Sequence, residues 1–298
     1  MKCLVTGGAG FIGSNLVDKL LELGHEVTCI DNESSDANET FYWNKQSKNY
    51  KLDICDYEKI ISCFKDIECV FHLAAEARIQ PSIKNPLKAV RSNILGTASV
   101  LQASRENGIK RVIYSSTSSG YGFNSVPNLE NQPDDCLNPY SVSKVGAEKL
   151  CSMYTKLFGL KTIILRYFNV YGNREPIKGQ YAPVIGIFKR QKNNGESLTI
   201  VGDGLQKRDF TNVKDVVQAN ILSATKEIKE EFYGTVFNVG TGVNHSILEI
   251  AKMISDNYIF IEPRLGEMRE TLANNEKIRK VLGWEPSVKL EDYLGYKK

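Results

Sequence analysis

A glycine-rich segment near the start of the chain constrains the fold more than any other feature. A short, mostly apolar run at residues 2–6 leads directly into Gly8-x-Gly10-x-x-Gly13, which overlaps the tighter spacing Gly7-x-x-Gly10-x-x-Gly13. A helical run to Leu23 follows. Glycines at such a strand-to-helix turn let backbone N–H groups approach a pyrophosphate at the helix N-terminus. The segment therefore predicts a dinucleotide-binding turn rather than a glycine turn in another kind of α/β protein.

The end of the next predicted strand indicates which dinucleotide would bind. That strand covers residues 26–30, and Asp31 follows it. A carboxylate about 20 residues beyond the glycines accepts hydrogen bonds from both ribose hydroxyls and repels a 2′-phosphate. Asp31 therefore favours NAD over NADP as the cofactor.

Composition argues against several classes of function. The chain has 298 residues, enough for one large domain or two, and 42% of them are hydrophobic. Its 38 basic and 35 acidic residues are scattered and leave a net charge of +3, which predicts neither nucleic acid nor a membrane surface as a partner. No apolar run approaches the roughly 18 residues of a membrane span. The first strand begins at residue 2, which leaves no room for a signal peptide.

The cysteines and histidines suggest a reducing compartment and no metal. Seven cysteines is an odd number, no C-x-x-C pair occurs, and Cys3, Cys29 and Cys69 fall in predicted buried strands. They are interpreted as reduced thiols in the core, so we expect the protein in the cytoplasm. The three histidines are far apart in the sequence and form no metal-ligand grouping.

Strands and helices alternate through the first 170 residues. Further strands are predicted at residues 50–53, 69–73, 111–116 and 161–166, with helices at 57–64, 86–107 and 139–158. Strands separated by helices predict an α/β fold with a doubly wound parallel sheet.

The alternation breaks after residue 171. Helices are predicted at residues 182–193 and 246–257, with short strands at 198–201 and 235–239. Residues 209–225 have the apolar spacing of a helix that returns to the sheet. We therefore expect a Rossmann NAD-binding domain at 1–170, with a returning segment at about 206–240. A smaller, discontinuous C-terminal substrate domain would comprise 171–205 and 241–298.

Two side chains on the predicted helix 139–158 indicate chemistry. Tyr140 and Lys144 are four residues apart and share one helical face. A phenol titrates near pH 10, but a nearby cation and a positively charged nicotinamide both favour its phenolate, which is a general base. Ser115-Ser116-Thr117 ends a predicted strand, where ligands of open α/β sheets bind. Hydroxyl, phenol, ammonium and dinucleotide together predict a hydride-transfer site.

With these motifs the chain closely resembles the extended short-chain dehydrogenase/reductase family, in its NAD-dependent nucleotide-sugar epimerase/dehydratase group. The resemblance covers essentially the whole chain. It rests on Thr6-Gly7-Gly8-Ala9-Gly10-Phe11-Ile12-Gly13-Ser14, Leu52-Asp53, His72-Leu73-Ala74-Ala75, Asn93 with Gly96-Thr97, Ser115-Ser116-Thr117, Tyr140-x-x-x-Lys144, Arg166-Tyr167-Phe168-Asn169-Val170-Tyr171-Gly172, Gly202-Asp203-Gly204, Arg208-Asp209-Phe210 and Leu282-Gly283-Trp284-x-Pro286.

The resemblance implies three sets of site residues. The catalytic set is Thr117, Tyr140 and Lys144. The NAD-binding set is Gly7, Gly10, Phe11, Ile12, Gly13, Asp31, Asn32, Asp53, Ile54, Leu73, Ala74, Ala75, Asn93, Ser115, Tyr140, Lys144 and Tyr167. The set for the nucleotide-sugar substrate is Ser82, Thr117, Ser118, Asn169, Arg208, Arg264 and Thr271. The family's two-helix interface further implies a homodimer through helices 86–107 and 139–158.

The residues that follow the fifth predicted strand differ between subgroups of the family. Sugar 4,6-dehydratases have Thr-Asp-Glu where this chain has Thr117-Ser118-Ser119, and uronic-acid decarboxylases have an acidic residue at the position of Ser119. The chain is therefore most similar to UDP-hexose 4-epimerases, which act through a transient 4-keto sugar. Gly120 departs from the family's usual valine, so we expect a differently shaped loop at the sugar. Thr271 stands where a larger residue would exclude a carbon-2 substituent, which implies turnover of UDP-N-acetylglucosamine, with UDP-glucose as the other substrate.

Two other functions remain open on the sequence. A nucleotide-diphospho-4-keto-sugar reductase or dehydrogenase would use the same Tyr140 and Lys144 but release the cofactor at each turnover. Asp31 disfavours this reading, because such reductases commonly use NADPH. An inactive family member acting as a binding protein is disfavoured by the intact Thr117, Tyr140 and Lys144. The nucleotide base and the oligomeric state are also left open.

Overall fold

The computed structural model describes residues 1–35, 38–177, 182–263 and 268–296. Its strands are β1 (Lys2–Thr6), β2 (Glu26–Asp31), β3 (Lys48–Lys51), β4 (Cys69–His72), β5 (Arg111–Thr117), β6 (Thr162–Tyr167), β7 (Val170–Tyr171), β8 (Leu198–Val201), β9 (Lys207–Asp209), β10 (Thr211–Asn212), β11 (Val236–Val239), β12 (Asn244–Ser246) and β13 (Tyr258–Ile261). Its helices are α1 (Phe11–Glu22), α2 (Tyr57–Ile60), α3 (Ile79–Lys84), α4 (Pro86–Val90), α5 (Gly96–Glu106), α6 (Pro139–Phe158), α7 (Val184–Asn193), α8 (Val213–Thr225), α9 (Ile247–Ile254), α10 (Glu276–Leu282) and α11 (Leu290–Leu294).

Within these ranges the main sheet has seven strands, in the order β11-β6-β5-β4-β1-β2-β3. Each neighbouring pair is parallel, and Val5 of β1 pairs with Cys29 of β2 on one side and with Phe71 of β4 on the other. The strand order reverses between β1 and β4, and ligands bind beyond the carboxyl ends of the strands at such a switch point. The predicted doubly wound parallel sheet is confirmed.

Helices cover both faces of this sheet and bury separate apolar clusters. On one face α1 packs against α8, and Leu16, Val17 and Val216 are buried there. On the other face α5 packs against α6, and Val100 and Cys151 are buried. Because helices cover both faces of the sheet, β4 and β5 are buried along their whole length.

A smaller apolar cluster lies in the second half of the chain. It joins α7 and α9 to the parallel pair β8–β13 and includes Phe188, Ile200 and Ile250. Two short ladders, β7–β10 and β9–β12, connect the segments around it. The chain leaves the main sheet after β6 and rejoins it through α8 and β11. No helix in the described parts of the chain has the length and apolar character needed to cross a membrane.

The predicted helix at 86–107 is interrupted. Between α4 and α5, residues Arg91–Leu95 form a wider π turn, a feature that often occurs at functional sites. The carbonyl of Asn93 in this turn accepts a hydrogen bond from Thr97 Oγ1 at 2.6 Å, while the side chain of Asn93 reaches another segment. The turn therefore depends on tertiary contacts that the apolar spacing does not encode.

The helix that was predicted at 139–158 has those bounds in the structure. The side chain of Asn138 accepts a hydrogen bond from Ser141 N, Ser141 Oγ accepts one from Asn138 N, and Pro139 occupies the first turn. Gly159 ends the helix in the left-handed conformation, with φ of 71°. Start and stop signals in the sequence thus fix α6, the helix that carries Tyr140 and Lys144.

Candidate active site

A cavity of about 520 Å³ lies along the carboxyl ends of the main-sheet strands and continues into the second half of the chain. All but one of the predicted NAD-binding residues line it, namely Gly7, Gly10, Phe11, Ile12, Gly13, Asp31, Asn32, Asp53, Ile54, Leu73, Ala74, Ala75, Ser115, Tyr140, Lys144 and Tyr167. Of the predicted substrate residues, Thr117, Ser118, Asn169 and Arg208 line it. One cavity therefore joins the glycine turn to the predicted catalytic group.

The glycine turn has the close approaches that a dinucleotide site needs. Gly7 has φ of 70°, and a Cβ there would lie 2.7 Å from Ala74 N. A Cβ on Gly13 would lie 2.1 Å from the carbonyl oxygen of Gly7. Gly10 precedes α1 and has no side chain that could cap the helix. The N–H groups in the first turn of α1 therefore face the cavity with no hydrogen bond from a capping side chain. These residues fit the pyrophosphate of a dinucleotide.

Asp31 is held by the backbone at the end of β2. Its Oδ2 accepts a hydrogen bond from Ala9 N at 3.1 Å, and its Oδ1 accepts one from Glu33 N at 2.8 Å. Burial raises the pKa of the Asp31 carboxyl, and these two hydrogen bonds oppose the rise. The carboxylate is fixed in orientation at the cavity wall, where a ribose would lie against it.

Asp53 lines the same end of the cavity and is also anchored. Its Oδ2 accepts a hydrogen bond from Arg91 Nη1 at 2.8 Å, and its Oδ1 accepts one from Cys55 N at 2.9 Å. Burial alone would raise the pKa of Asp53, but the hydrogen bonds from Arg91 and Cys55 outweigh it and lower the pKa. Asp53 thus remains a hydrogen-bond acceptor at neutral pH.

Thr117 and Tyr140 meet inside the cavity. Thr117 is the last residue of β5, and its Oγ1 accepts a hydrogen bond from Ser119 N at 3.1 Å. Burial raises the pKa of Tyr140, whereas a hydrogen bond from Thr117 and the charge of Arg78 lower it. The pair provides a proton acceptor and a hydroxyl at the same point of the wall.

Lys144 is buried on the same helix as Tyr140. The residue is 3% exposed, its ammonium lies 4.4 Å from the ring centroid of Tyr114, and burial lowers its pKa to about 7. Its role as the cation that favours the Tyr140 phenolate stays a prediction, and the charge of Arg78 also acts on Tyr140.

The other two hydroxyls at the end of β5 have different partners. Ser115 Oγ lies 2.8 Å from the hydroxyl of Tyr167, and both line the cavity. Ser116 Oγ donates instead to Glu148, which also accepts hydrogen bonds from the buried Arg166. Ser115 thus belongs to the cavity wall, and Ser116 ties β5 to α6.

Two predicted ligand residues support the wall instead of lining it. The Asn93 amide accepts a hydrogen bond from Glu76 N at 2.8 Å and donates to Glu76 O at 3.0 Å and Ser143 Oγ at 2.8 Å. Ser82 Oγ accepts a hydrogen bond from Tyr140 N at 3.0 Å. Asn93 and Ser82 therefore connect the segment after β4 to the catalytic helix.

Thr271 also lies behind the wall and does not line the cavity. It is 1% exposed, and its Oγ1 accepts hydrogen bonds from Asp209 N at 3.3 Å and from Asn169 Nδ2 at 3.4 Å. Asn169, which does line the cavity, has φ of 26°, a left-handed backbone conformation that is uncommon outside glycine. Thr271 is thus separated from the cavity by Asn169. Arg264, the remaining predicted substrate residue, is outside the described residues.

The structure adds residues that no sequence pattern indicated. Arg78 lines the cavity, although it belongs to no recognised motif and only its spatial proximity to Tyr140 identifies it. Gly120 is explained by packing, because a Cβ there would lie 2.7 Å from Val145 Cγ2. The cavity is also lined by Phe188 and Ile185 of the smaller apolar cluster and by Thr199 of β8.

Comparison with known proteins places the whole chain in one family. The family model described as GDP-mannose 4,6 dehydratase matches residues 4–295. A Thermotoga maritima UDP-glucose 4-epimerase, solved with UDP-glucose, is 36% identical with a TM-score of 0.92, and the match covers 99% of this chain and 96% of that one. A Methanobrevibacter ruminantium UDP-N-acetylglucosamine 4-epimerase, solved with UDP-N-acetylmuramic acid, is 35% identical with a TM-score of 0.90, covering 98% and 95%. A Thermus thermophilus UDP-glucose 4-epimerase in complex with NAD is 30% identical with a TM-score of 0.89, covering 99% and 97%.

Metal-ligating side chains do not cluster in the parts of the chain that the structure describes. No group of three or more His, Cys, Asp or Glu side chains is arranged there to hold an ion.

Proposed function

Since this chain belongs to the GDP-mannose 4,6 dehydratase family of extended short-chain dehydrogenases/reductases, we propose that it is an NAD-dependent UDP-hexose 4-epimerase. The observation that carries the proposal is the wall of the cavity at the end of β5. Ser118 and Ser119 line it beside Thr117 and Tyr140, at the two positions where elimination of water would need an acid and a base. Both positions carry serine, so we propose hydride transfer at carbon 4 without elimination. Return of the hydride to the same sugar distinguishes the proposed epimerase from a reductase or dehydrogenase.

The chain's own residues have distinct parts in this reaction. NAD, when bound along the glycine turn, supplies the chemistry of taking a hydride from carbon 4 and returning it. Tyr140 accepts the proton of the 4-hydroxyl and later gives it back, while Thr117 donates a hydrogen bond at the same oxygen. The sugar turns between the two steps and presents its other face, so the configuration at carbon 4 is inverted.

The diphosphate must stay bound while the sugar turns. We assign Arg208 to this role, since its guanidinium suits paired phosphate oxygens. Arg208 lines the cavity that also contains Tyr140 and Phe188. Arg264 is proposed as its companion, and Asn169 and Ser118 as contacts to the substrate. We also propose an NAD-binding domain at residues 1–170, with a returning segment at about 206–240, and a substrate domain at residues 171–205 and 241–298. Ser118, Asn169 and Arg208 would contact the nucleotide sugar from the NAD-binding domain.

The proposed substrates are UDP-N-acetylglucosamine and UDP-glucose. Liganded relatives support a UDP-sugar, as one was solved with UDP-glucose and another with UDP-N-acetylmuramic acid. The resemblance to 4-epimerases places the small Thr271 where a larger residue would exclude a carbon-2 substituent, and in the structure Thr271 contacts Asn169 of the cavity wall.

We propose a homodimer, because the helices on one face of the main sheet expose apolar side chains. Leu87 of α4 is 79% exposed and Leu157 of α6 is 67% exposed, and Val142 and Leu95 are also exposed nearby in the same helical layer. Light scattering of wild type and Leu157→Glu tests this assignment, since a charge in a helix–helix interface would shift the mass toward the monomer. A mass of one chain for wild type would contradict it.

We propose that the protein resides in a reducing compartment, because its cysteines are free thiols. All seven cysteines lie in the described ranges and all are free. Cytoplasmic residence follows from this proposal and is tested by cell fractionation.

The function is tested by turnover without added cofactor. Purified protein is incubated separately with UDP-glucose and UDP-N-acetylglucosamine, and the 4-epimers are resolved by chromatography. Protein carrying Tyr140→Phe and purified in parallel controls for a contaminating epimerase. Epimers formed by the wild type alone support the proposal. Conversion that needs added reduced cofactor, or stoichiometric release of NADH, would instead identify a keto-sugar reductase or dehydrogenase.

A further inference from the structure

Residues 38–44, the strap, lie against the glycine turn. Tyr42 N donates a hydrogen bond to Ala9 O of that turn at 2.8 Å. Asn38 and Phe41 line the cavity together with the predicted NAD-binding residues. The strap therefore forms part of the wall around the space in which the dinucleotide would bind.

Asp18 of α1 joins the strap to a second segment. Its Oδ1 accepts a hydrogen bond from Asn44 Nδ2 at 2.7 Å, and its Oδ2 forms an ion pair with Arg174 Nη2 at 2.7 Å. Asn44 is the last residue of the strap, whereas Arg174 belongs to the loop that follows β7. One carboxylate on the helix after the glycine turn therefore holds both the strap and this loop.

Arg174 also contacts the strap directly. Its Cζ lies 4.9 Å from the ring centroid of Tyr42, within the range of a cation–π interaction. The preceding residue is fixed to α1 as well, because Asn173 O accepts a hydrogen bond from Asn15 Nδ2 at 3.0 Å. Arg174 has φ of 65°, a left-handed conformation that costs free energy outside glycine and persists where the surroundings enforce it. These contacts together hold the guanidinium between α1 and the strap.

We infer that Arg174 holds the strap closed over bound NAD and thereby slows the release of the cofactor. Opening the strap would require Tyr42 to leave the guanidinium and Asn44 to leave Asp18, which itself pairs with Arg174. In the proposed reaction, slow release keeps the cofactor in place between removal and return of the hydride. The inference goes beyond the proposed function, because it needs only NAD at the glycine turn, whichever reaction follows.

Two contacts of the strap do not involve Arg174. Tyr42 N donates to Ala9 O, and Trp43 Nε1 donates to Glu33 Oε1 at 2.8 Å. They keep the strap near the glycine turn when the guanidinium is removed. Loss of the guanidinium should therefore speed cofactor release without abolishing cofactor binding.

The test measures how fast the cofactor leaves, without turnover. Protein loaded with radiolabelled NAD is diluted into excess unlabelled NAD, and the label retained on the protein is followed over time by filtration. The single variants are Arg174→Gln, which removes the charge, Arg174→Lys, which keeps it, and Tyr42→Leu, which removes the ring. A double variant combines Arg174→Gln with Tyr42→Leu.

Arg105→Gln is the matched control. The Arg105 guanidinium also lies over an aromatic ring, 3.9 Å from the centroid of Phe158, but Arg105 does not line the cavity. Circular dichroism establishes that each variant is folded. Tyr42→Leu changes an exposed side chain, so it tests the same contact even if Arg174→Gln does not fold.

Arg174→Gln should release labelled NAD about tenfold faster than wild type, since changes at a contact act mainly on the dissociation rate. Tyr42→Leu should have a smaller effect, because Arg174 would still pair with Asp18. The double variant should release NAD no faster than Arg174→Gln, because both changes remove one shared contact. Arg174→Lys should fall between wild type and Arg174→Gln, since an ammonium keeps the charge but lacks the planar group that stacks on the ring. Arg105→Gln should match wild type.

A wild-type release rate in folded Arg174→Gln would overturn the inference, as would one in Tyr42→Leu if the arginine variant does not fold. Effects that multiply in the double variant would also overturn it, because the two residues would then act independently. Faster release from Arg174→Gln in a protein that converts no UDP-sugar would leave this inference standing and count against the proposed function alone.

Discussion

Thr271 Oγ1 accepts a hydrogen bond from the backbone N–H of Asp209 at 3.3 Å and also lies 3.4 Å from Asn169 Nδ2, on the side of Asn169 away from the cavity. Asp209 is itself fully buried, and its carboxylate accepts hydrogen bonds from Thr241, Gly242 and Ala273. The two residues therefore form a rigid support for Asn169. Position 271 can therefore influence the substrate through that asparagine.

Thr271→Tyr should act on sugar selectivity by displacing Asn169 into the cavity. A phenol ring in a site that is 1% exposed overpacks it, at a cost of about 1–3 kcal/mol in the free energy of unfolding. We expect kcat/KM for UDP-N-acetylglucosamine to fall about tenfold more than that for UDP-glucose, which corresponds to ~1.4 kcal/mol.

Thr271→Ser is the matched control, since it keeps the hydroxyl that accepts hydrogen bonds from Asp209 and Asn169 and adds no volume. It should leave the ratio of the two kcat/KM values near that of wild type. An equal loss of both substrates in Thr271→Tyr would exclude position 271 as a determinant and assign selectivity to the loop at residues 118–122.

Tyr140→Phe should keep the fold and the bound cofactor but lose most turnover. The substitution removes only the oxygen that accepts the proton. Thr117→Val should lose less, because it removes one hydrogen bond to that oxygen. Turnover, cofactor absorbance and circular dichroism of the purified variants check this. Near-native activity of the phenylalanine variant would transfer the proton step to Thr117 or to a bound water.

Lys144→Met should change the pH dependence of stability in the cofactor-free protein. Burial lowers the pKa of Lys144 from 10.5 to about 7, so between these values the unfolded chain binds a proton that the folded chain does not. The free energy of unfolding of the wild type therefore rises with pH between these two values. Below pH 7 Lys144 is charged while buried, and there it destabilises the folded protein most.

The stabilisation by Lys144→Met should accordingly be largest at pH 6–7. It should shrink toward pH 10.5 by at most about 1.4 kcal/mol per pH unit. Denaturant unfolding at several pH values measures it, with Lys156→Met, at an exposed site on the same helix, as the control. A difference that does not vary with pH would show that Lys144 keeps its ordinary titration.

Asp31→Ala should weaken NAD binding and reduce discrimination against NADP. The carboxylate is held by Ala9 N and Glu33 N at the cavity wall, so removing it takes away both the acceptor for the ribose hydroxyls and the repulsion of a 2′-phosphate. Titration of the stripped protein with both cofactors gives the ratio of the two Kd values. An unchanged ratio would show that a residue other than Asp31 determines cofactor choice.

Local signals in the sequence were sufficient for much of the site. The glycine spacing, with a predicted strand before it and a helix after it, indicated the turn that lines the cavity at α1, and the family resemblance implied the individual residues. The Asn138 cap, Pro139 and Gly159 fixed both ends of α6 and with them the positions of Tyr140 and Lys144. Strand β3 lies two residues earlier than predicted, because an exposed edge strand has no apolar pattern to place it.

Roles that depend on tertiary contacts could not be obtained in this way. Asn93 and Ser82 were predicted as ligand residues, yet their hydrogen bonds go to Glu76, Ser143 and Tyr140, residues 17 to 58 positions away in the chain. Arg78 carries no motif, and the low pKa of Lys144 arises from burial that a helical spacing does not reveal.

The central claim is that one bound NAD removes and returns the same hydride, and isotope tracing tests it most directly. UDP-glucose carrying deuterium at carbon 4 is mixed with an equal amount of UDP-glucose that has no deuterium but carries a distinct isotope label in its uridine. The products are analysed by mass spectrometry. We predict that deuterium remains at carbon 4 of the UDP-galactose formed, that it does not cross to the other nucleotide, and that no NADH is released. Loss of deuterium to solvent, its transfer between nucleotides, or NADH released in proportion to product would contradict the account.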